Sequence, residues 1–366
     1  MKVPFFQLNT QYDTLREELR DAVDRVLSSG FYILGKEVEA FEREFSEYIG
    51  GGHAVSVGSG TDALILALRA AGIQTGDEVI TVANTFIATH MAVVTCGAVP
   101  VFADIDPVFH TIDPGQIESK ITSKTRVILP VHLYGHPSDM DAVCEIARRH
   151  NLTVIEDACQ AHGARIGSRH VGLIGDMGCF SFYPTKNLGA YGDGGMVATR
   201  NKEFAEKLRR LRNYGQNKKY YHDTEGINSR LDEIQAAVLR VKLTYLDGWI
   251  QRRKQIAMTY VAGIDSPVIH PVRERSGFSH GHYLFVVRSP LRDRLQDWLQ
   301  DKGVSTQIHY PVPIHRQRAY LNRFQSLPRL PQTEKAAEEI LSLPLFPEIR
   351  DDQIAFVVDC LNRFHP

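Results

Sequence analysis

The chain has 366 residues, 42 Lys and Arg against 43 Asp and Glu, and a formal net charge of −1, with 43% hydrophobic and 23% charged residues. That length implies one large and one smaller domain, and the near-neutral charge excludes a general binder of nucleic acid or acidic membrane. Cys96, Cys144, Cys159, Cys179 and Cys360, odd in number and without a CxxC pair, read as reduced thiols; no apolar run suits a signal peptide or a membrane span, so the expected compartment is the cytoplasm.

Leu15, Leu19, Ala22, Val23 and Val26 recur at helical spacing and predict a helix over 11–29 that stops at Gly30. A second helix over 36–48 stops at Gly50-Gly51-Gly52. Residues 53–57 read as a strand, Gly58-Ser59-Gly60 as a turn and 61–68 as a helix. Apolar strands at 78–83, 99–105, 126–134, 153–156, 179–183 and 196–199 then alternate with helices at 87–95, 140–150 and 202–212. This alternation predicts an α/β fold whose mostly parallel sheet is covered on both faces. Beyond about residue 230, Leu231, Ile234, Val238, Val241, Tyr245 and Trp249 predict one long helix. It leads to a smaller α+β unit with a strand at 283–288, a helix at 291–302 and a closing helix at 351–364. Pro311 and Pro313, like Pro344 and Pro347, mark extended connections. The expected division is a large domain over 1–245, with its N-terminal helical segment, and a small domain over 246–366.

Lys186 follows the strand 179–183 that Pro184 ends, with Gly189 and Gly192-Asp193-Gly194-Gly195 after it. Open α/β sheets place ligands beyond the carboxyl ends of their strands, and glycines admit a ligand close to backbone. A lysine held out of water there is a Schiff-base amine. A single loop lysine is more often simply solvated, so other stretches have to decide. Gly58-Ser59-Gly60-Thr61-Asp62-Ala63 joins a strand to a helix, and the first N–H groups of that helix, with the Thr61 hydroxyl, form an anion site. The same spacing satisfies the dinucleotide pattern GxGxxA, which leaves a nicotinamide-dependent oxidoreductase open. That pattern wants an acid roughly twenty positions on, at the end of the next strand, whereas Asp77 and Glu78 precede it.

Asp157 ends a buried strand. It can hold a proton on the ring nitrogen of pyridoxal phosphate, the form in which the ring withdraws electrons, or it can cap a helix from Ala158. Asp157, Cys159 and His162 match no standard zinc spacing, so no metal is expected. Phe86 follows a strand and can stack on a planar cofactor or belong to the core.

Five stretches then stand together: Gly60-Thr61, Thr85-Phe86, Glu156-Asp157-Ala158-Cys159-Gln160-Ala161-His162-Gly163, Ser181-Phe182-Tyr183-Pro184-Thr185-Lys186 and Gly226-Ile227-Asn228-Ser229-Arg230-Leu231-Asp232. In this order, nearly end to end, the set resembles the DegT/DnrJ/EryC1/StrS family of pyridoxal-phosphate sugar aminotransferases. The resemblance implies the aspartate-aminotransferase fold (fold type I), with a mostly parallel seven-stranded sheet in the large domain. It implies Lys186 as the catalytic amine and proton carrier, Asp157 on the pyridine nitrogen and Gln160 on the phenolic-oxygen side of the ring. Gly60, Thr61, the Asp62 backbone and Ser181 would hold the phosphate, with Phe86 stacked on the ring. Asn228 would reach the phosphate of the neighbouring subunit, so that a homodimer shares its active sites. Lysine at 186, where some relatives have histidine, disfavours the dehydration that those relatives perform.

The stretch 303–313, with His315 and Gln317, resembles enzymes that aminate the 3-keto carbon of a dTDP-linked 6-deoxyhexose. The expected reaction passes an amino group from L-glutamate through pyridoxamine phosphate to that carbon, giving a dTDP-3-amino-3,6-dideoxyhexose for glycan, lipopolysaccharide or natural-product biosynthesis. A 4-keto substrate is the alternative within the family. Tyr183, His309 and Tyr310 would touch the hexose, although His309 also suits packing between domains. Lys218, Lys219, Tyr220 and Tyr221 offer charge and aromatic faces to a nucleoside diphosphate. A non-catalytic sensor on the same fold is a further rival, and the near-neutral charge and missing helix-turn-helix signature count against it.

Overall fold

The computed structural model describes residues 1–324 and 327–365. Leu15, Leu19, Ala22 and Val26 form the buried stripe of helix α1 (Leu8–Ser29), which ends where Gly30 takes φ 70°, a left-handed turn that favours glycine. Helix α2 spans Lys36–Tyr48. The main sheet contains β1 (His53–Val57), β2 (Glu78–Val82), β3 (Val99–Ala103), β4 (Thr125–Ile128) and β5 (Thr153–Asp157). After the short β6 (Arg165–Ile166) and β7 (Arg169–His170) come its last two strands, β8 (Met177–Ser181) and β9 (Gly195–Thr199). The seven are ordered β1-β9-β8-β5-β4-β2-β3, and β9 runs antiparallel to both neighbours while the other pairs are parallel. Asp157 pairs with Cys179, while Ser181 and Val57 each pair with Gly195, so the carboxyl ends of β1, β5 and β8 meet at one edge.

Side chains alternate across a strand, and here the alternation feeds two cores. Val55, Val57, Cys179 and Val197 enter one, and Ala54, Phe180, Phe182, Met196 and Ala198 the other. Helices α3 (Gly60–Ala70), α4 (Ile87–Thr95), α5 (Met140–His150), α6 (Lys202–Leu211) and α7 (Glu233–Leu243) complete the layers. Phe41 and Phe45 each meet Phe182 edge to face, at 5.2 and 5.6 Å, contacts worth about 1 kcal/mol each beyond the area they bury.

Two elements differ from expectation. The strand expected over 126–134 ends at Ile128, because Pro130 has no N–H for the ladder and Leu133–Gly135 form a tight turn with Tyr134 at φ 64°. The single long helix is two, α7 and α8 (Leu246–Gly263). The Thr244 hydroxyl donates to the Val241 carbonyl and the Tyr245 N–H donates to the Lys242 carbonyl, which tightens and ends the first helix.

The hairpin β10 (Gln216–Lys218) and β11 (Tyr221–His222) follows α6. A second antiparallel sheet joins β12 (His270–Pro271), β14 (Phe285–Arg288) and β15 (Ile340–Leu343), while β13 (Phe278–Ser279) pairs back onto β6. Helices α8, α9 (Arg292–Asp301) and α12 (Asp351–Asn362) pack with the second sheet through Ile256, Tyr260, Leu295 and Val357. Val3 joins this core and bridges to Val304. Helices α10 (Arg318–Leu321) and α11 (Pro331–Glu339) complete the chain.

Candidate active site

A cavity of about 580 Å³ opens beyond the carboxyl ends of the parallel strands. Asp157, 5% exposed, closes β5 and borders it. Its Oδ2 accepts a 2.8 Å hydrogen bond from Thr89 Oγ1, and its Oδ1 accepts one of 3.2 Å from the Cys159 N–H. No helix starts at Ala158, so Asp157 is not a helix cap. No Lys, Arg or His among the described residues forms an ion pair with this carboxylate. Its spare lone pairs suit a protonated heteroaromatic nitrogen.

Lys186 enters the same cavity. Its backbone N–H donates to the Tyr183 carbonyl at 2.8 Å, and its Nζ sits 4.3 Å from the centroid of the Tyr283 ring. His162 and Cys159 beside it stay neutral. Burial, with the lysine charge behind it, lowers His162 to about 3, while burial and then the Asp157 charge push the Cys159 thiol well up. An amine held over a ring, in one cavity with a buried carboxylate, fits the aldehyde and pyridine nitrogen of pyridoxal phosphate.

The phosphate end also fits. Ser59 Oγ caps α3 by accepting from the Asp62 N–H at 3.1 Å, leaving Gly60 and Thr61 at the helix start facing the cavity with Ser181. A Cβ at Gly60 would lie 2.6 Å from Ser181 Cβ and 3.1 Å from Cys159 Sγ, so glycine is what lets α3 approach the end of β8. The Asp62 amide is committed to the cap and its carboxylate accepts from Ser229 Oγ at 2.7 Å; Asp62 does not border the cavity.

Phe86, 52% exposed, overhangs the cavity 5.7 Å from the Tyr310 ring. Gln160 Oε1 accepts from the Tyr134 N–H at 2.7 Å and its Nε2 donates to the Tyr310 hydroxyl at 3.2 Å. Tyr183 and His309 also border the space. His309 is lowered to about 4 by burial and then by the Lys186 charge, and its Nδ1 lies 2.9 Å from Ser342 Oγ.

Lys218, Lys219, Tyr220, Tyr221 and Asn228 do not border the cavity of their own chain. The first four lie on the exposed hairpin β10–β11, each lysine over a tyrosine ring, and Asn228 is exposed and bridged to Asn213. Sequence reasoning missed Thr89, Tyr283, Gln307 and Phe6, which all line the site. Thr89 had a signal, a hydroxyl in the first turn of a mostly apolar helix, and Gln307 lay inside the 303–313 stretch; Tyr283 and Phe6 come from distant stretches and had none. Among the described residues, no cluster of His, Cys, Asp and Glu could hold a metal, and no helix is long and apolar enough to cross a membrane.

Residues 13–362 match the model of the DegT/DnrJ/EryC1/StrS aminotransferase family. The chain is 47% identical over 369 residues to a dTDP-3-amino-3,4,6-trideoxy-alpha-D-glucose transaminase of Streptomyces venezuelae, covering 99% of this chain and 96% of the relative. It is 46% identical over 362 residues to a dTDP-3-amino-3,6-dideoxy-alpha-D-galactopyranose transaminase of Aneurinibacillus thermoaerophilus, covering 99% of each. The crystal structure of S. venezuelae DesV superposes with a TM-score of 0.97 at 48% identity, over 99% of this chain and 98% of that one. A Bacillus subtilis structure, ntda with bound cofactor PMP, superposes at 0.92 with 34% identity, over 98% and 84%.

Proposed function

We propose, from a chain that belongs to the DegT/DnrJ/EryC1/StrS aminotransferase family, that L-glutamate donates its amino group to the 3-keto carbon of a dTDP-linked 3-keto-6-deoxyhexose. The chain is an aminotransferase and its cofactor is pyridoxal 5'-phosphate. The observation that carries the reading is the placement of Lys186 and Asp157 in one cavity beyond the sheet. The 3-position rests on two relatives, each named for a 3-amino sugar, and a 4-keto acceptor is the competing outcome.

When bound, the cofactor supplies an electron sink that makes the proton on the amine-bearing carbon acidic. Lys186 Nζ takes the proton from Cα of glutamate and delivers one to C3 of the hexose. Glutamate leaves as 2-oxoglutarate, and the amino group replaces the keto oxygen. Asp157 holds a proton at the ring nitrogen, Thr89 aims that carboxylate, and Phe86 covers the ring. Gly60, Thr61 and Ser181 hold the phosphate.

The site is completed by a second copy, which supplies Asn228 and presents Lys218, Lys219, Tyr220 and Tyr221 to the nucleoside diphosphate. Exposure of these residues and of the apolar Phe31-Tyr32-Ile33 in a single chain supports that assembly. The division into a large domain over 1–245 and a small domain over 246–366 is supported by the break between α7, which ends at Leu243, and α8, which begins at Leu246. An enzyme of this kind acts in the cytoplasm, with its nucleotide substrates. The experiment is an assay of the holoenzyme with L-glutamate and a panel of 3-keto and 4-keto nucleotide sugars. Turnover of 3-keto dTDP sugars supports the reading. Exclusive turnover of 4-keto sugars, or none by the loaded enzyme, removes it; the second result revives a sensor.

A further inference from the structure

We propose, resting on the acceptor reading above, that Phe5 is a positioning residue for the sugar half of the reaction, fixing the His309 imidazole while Phe6 beside it walls the acceptor side of the cavity. Residues 2–6 run as a strap along the small unit. The Val3 N–H donates to the Gly303 carbonyl at 2.9 Å, the Ser305 N–H donates to the Val3 carbonyl at 2.9 Å, and Gln353 Nε2 donates to the Lys2 carbonyl at 3.3 Å. With Val3 buried, the strap has little freedom; it delivers Phe6 to the wall of the cavity and buries Phe5 behind it against His309.

The Phe5 ring lies 5.8 Å from the His309 ring at an interplanar angle of 24°, a stacked contact, and Phe6 meets Phe5 edge-on at 4.7 Å. Phe6 separates the cavity from an outer groove lined by Lys2, Gln7 and Ser305. His309 has one side-chain hydrogen bond, between its Nδ1 and Ser342 Oγ, and an edge contact from Tyr310 at 5.5 Å. One hydrogen bond leaves an imidazole able to pivot about the bonded nitrogen. A ring stacked on its face removes that freedom. Nε2 has no protein partner among the described residues, so the held ring offers it to a hydroxyl of the hexose. Burial, to which the stacked Phe5 ring contributes one face, and then the Lys186 charge keep His309 neutral, so that it would meet a sugar hydroxyl without repelling the catalytic amine.

The test uses the holoenzyme with Phe5→Leu, which keeps apolar bulk, Phe5→Tyr, which keeps the ring, and Phe5→Ala. In Phe5→Leu the glutamate half-reaction, read by cofactor absorbance, should stay within about twofold of the parent, while KM for the 3-keto sugar nucleotide rises about tenfold. Phe5→Tyr should restore most of that loss. In Phe5→Ala, proton NMR of the His309 imidazole, assigned against His309→Gln, should show its titration moving up from about 4 toward the ordinary 6.5. Equal loss in both half-reactions, no advantage of tyrosine over leucine, or an unmoved titration would each overturn the proposal. If the parent aminates no 3-keto nucleotide sugar, the acceptor reading fails, and the titration still judges the contact between Phe5 and His309. Should Phe5→Ala not fold, the same titration is read in Phe5→Leu.

Discussion

Thr89 Oγ1 donates a 2.8 Å hydrogen bond to Asp157 Oδ2, tying the first turn of α4 to the end of β5 inside the catalytic cavity. Thr85 stands 3.0 Å behind Thr89, so a short hydroxyl chain aims the carboxylate. Hydrogen bonds to a charged group contribute about 1.5–3 kcal/mol. Thr89→Val should therefore weaken pyridoxal phosphate binding about tenfold or more without unfolding the protein. Equilibrium dialysis against cofactor checks this, and unchanged affinity would remove Thr89 from the site.

Lys186→Ala should abolish transamination while the melting temperature of the apo-protein stays near that of the parent. A steady-state assay with no added amine measures the first, and calorimetry the second. Residual turnover above about one part in a hundred would contradict a role as proton carrier, since such groups contribute about 10²–10⁴-fold.

Gly60→Ala places a methyl group 2.6 Å from Ser181 Cβ, a contact between backbone-anchored atoms. The expected cost is about 1–3 kcal/mol of stability, together with weaker phosphate binding as α3 is pushed from β8. Thermal unfolding with and without cofactor reads both.

His136, His280 and His282 cluster where the Leu133–Gly135 turn meets the 278–284 segment, with ring spacings of 5.4 and 4.6 Å. Glu274, Asp106, Arg275 and Lys254 surround them. Burial lowers His136 to about 4, His282 to about 3 and His280 well below its usual value. Each histidine is neutral in the folded state but takes a proton in the unfolded chain below about 6.5. Their contribution is thus fully present above about pH 6.5 and is lost as pH falls from there toward 3–4. Melting temperature measured between pH 7 and 4 should fall, and His282→Asn should flatten the slope. A slope identical to the parent's would refute the assignment.

Asn228→Ala should lower cofactor affinity although Asn228 does not border the cavity of its own chain. Mixing it with an excess of Lys186→Ala protomers should restore turnover at the sites of the Asn228→Ala chains. Failure of mixed dimers to recover would remove the shared site.

Legibility in the sequence followed the range of the physics. Asp157, Lys186 and the Gly60-Thr61 turn sit at strand ends, where periodicity, a proline and glycines mark the position locally, and all three meet in the cavity. The break at Thr244 was hidden because the apolar spacing runs through it, and the helix is ended by the Thr244 hydroxyl bond to Val241 and the tightened Tyr245 to Lys242 backbone bond, which leave no mark in the apolar pattern. Strand β13 has two residues and finds its partner more than a hundred positions away, so no local pattern announces it. Tyr283 and Phe6 reach the site only because the small unit folds back over the sheet.

The most direct measurement is borohydride reduction of the yellow holoenzyme followed by peptide mass mapping. The account predicts a single reduced pyridoxyl group on Lys186. A label on another lysine, or none, would contradict it.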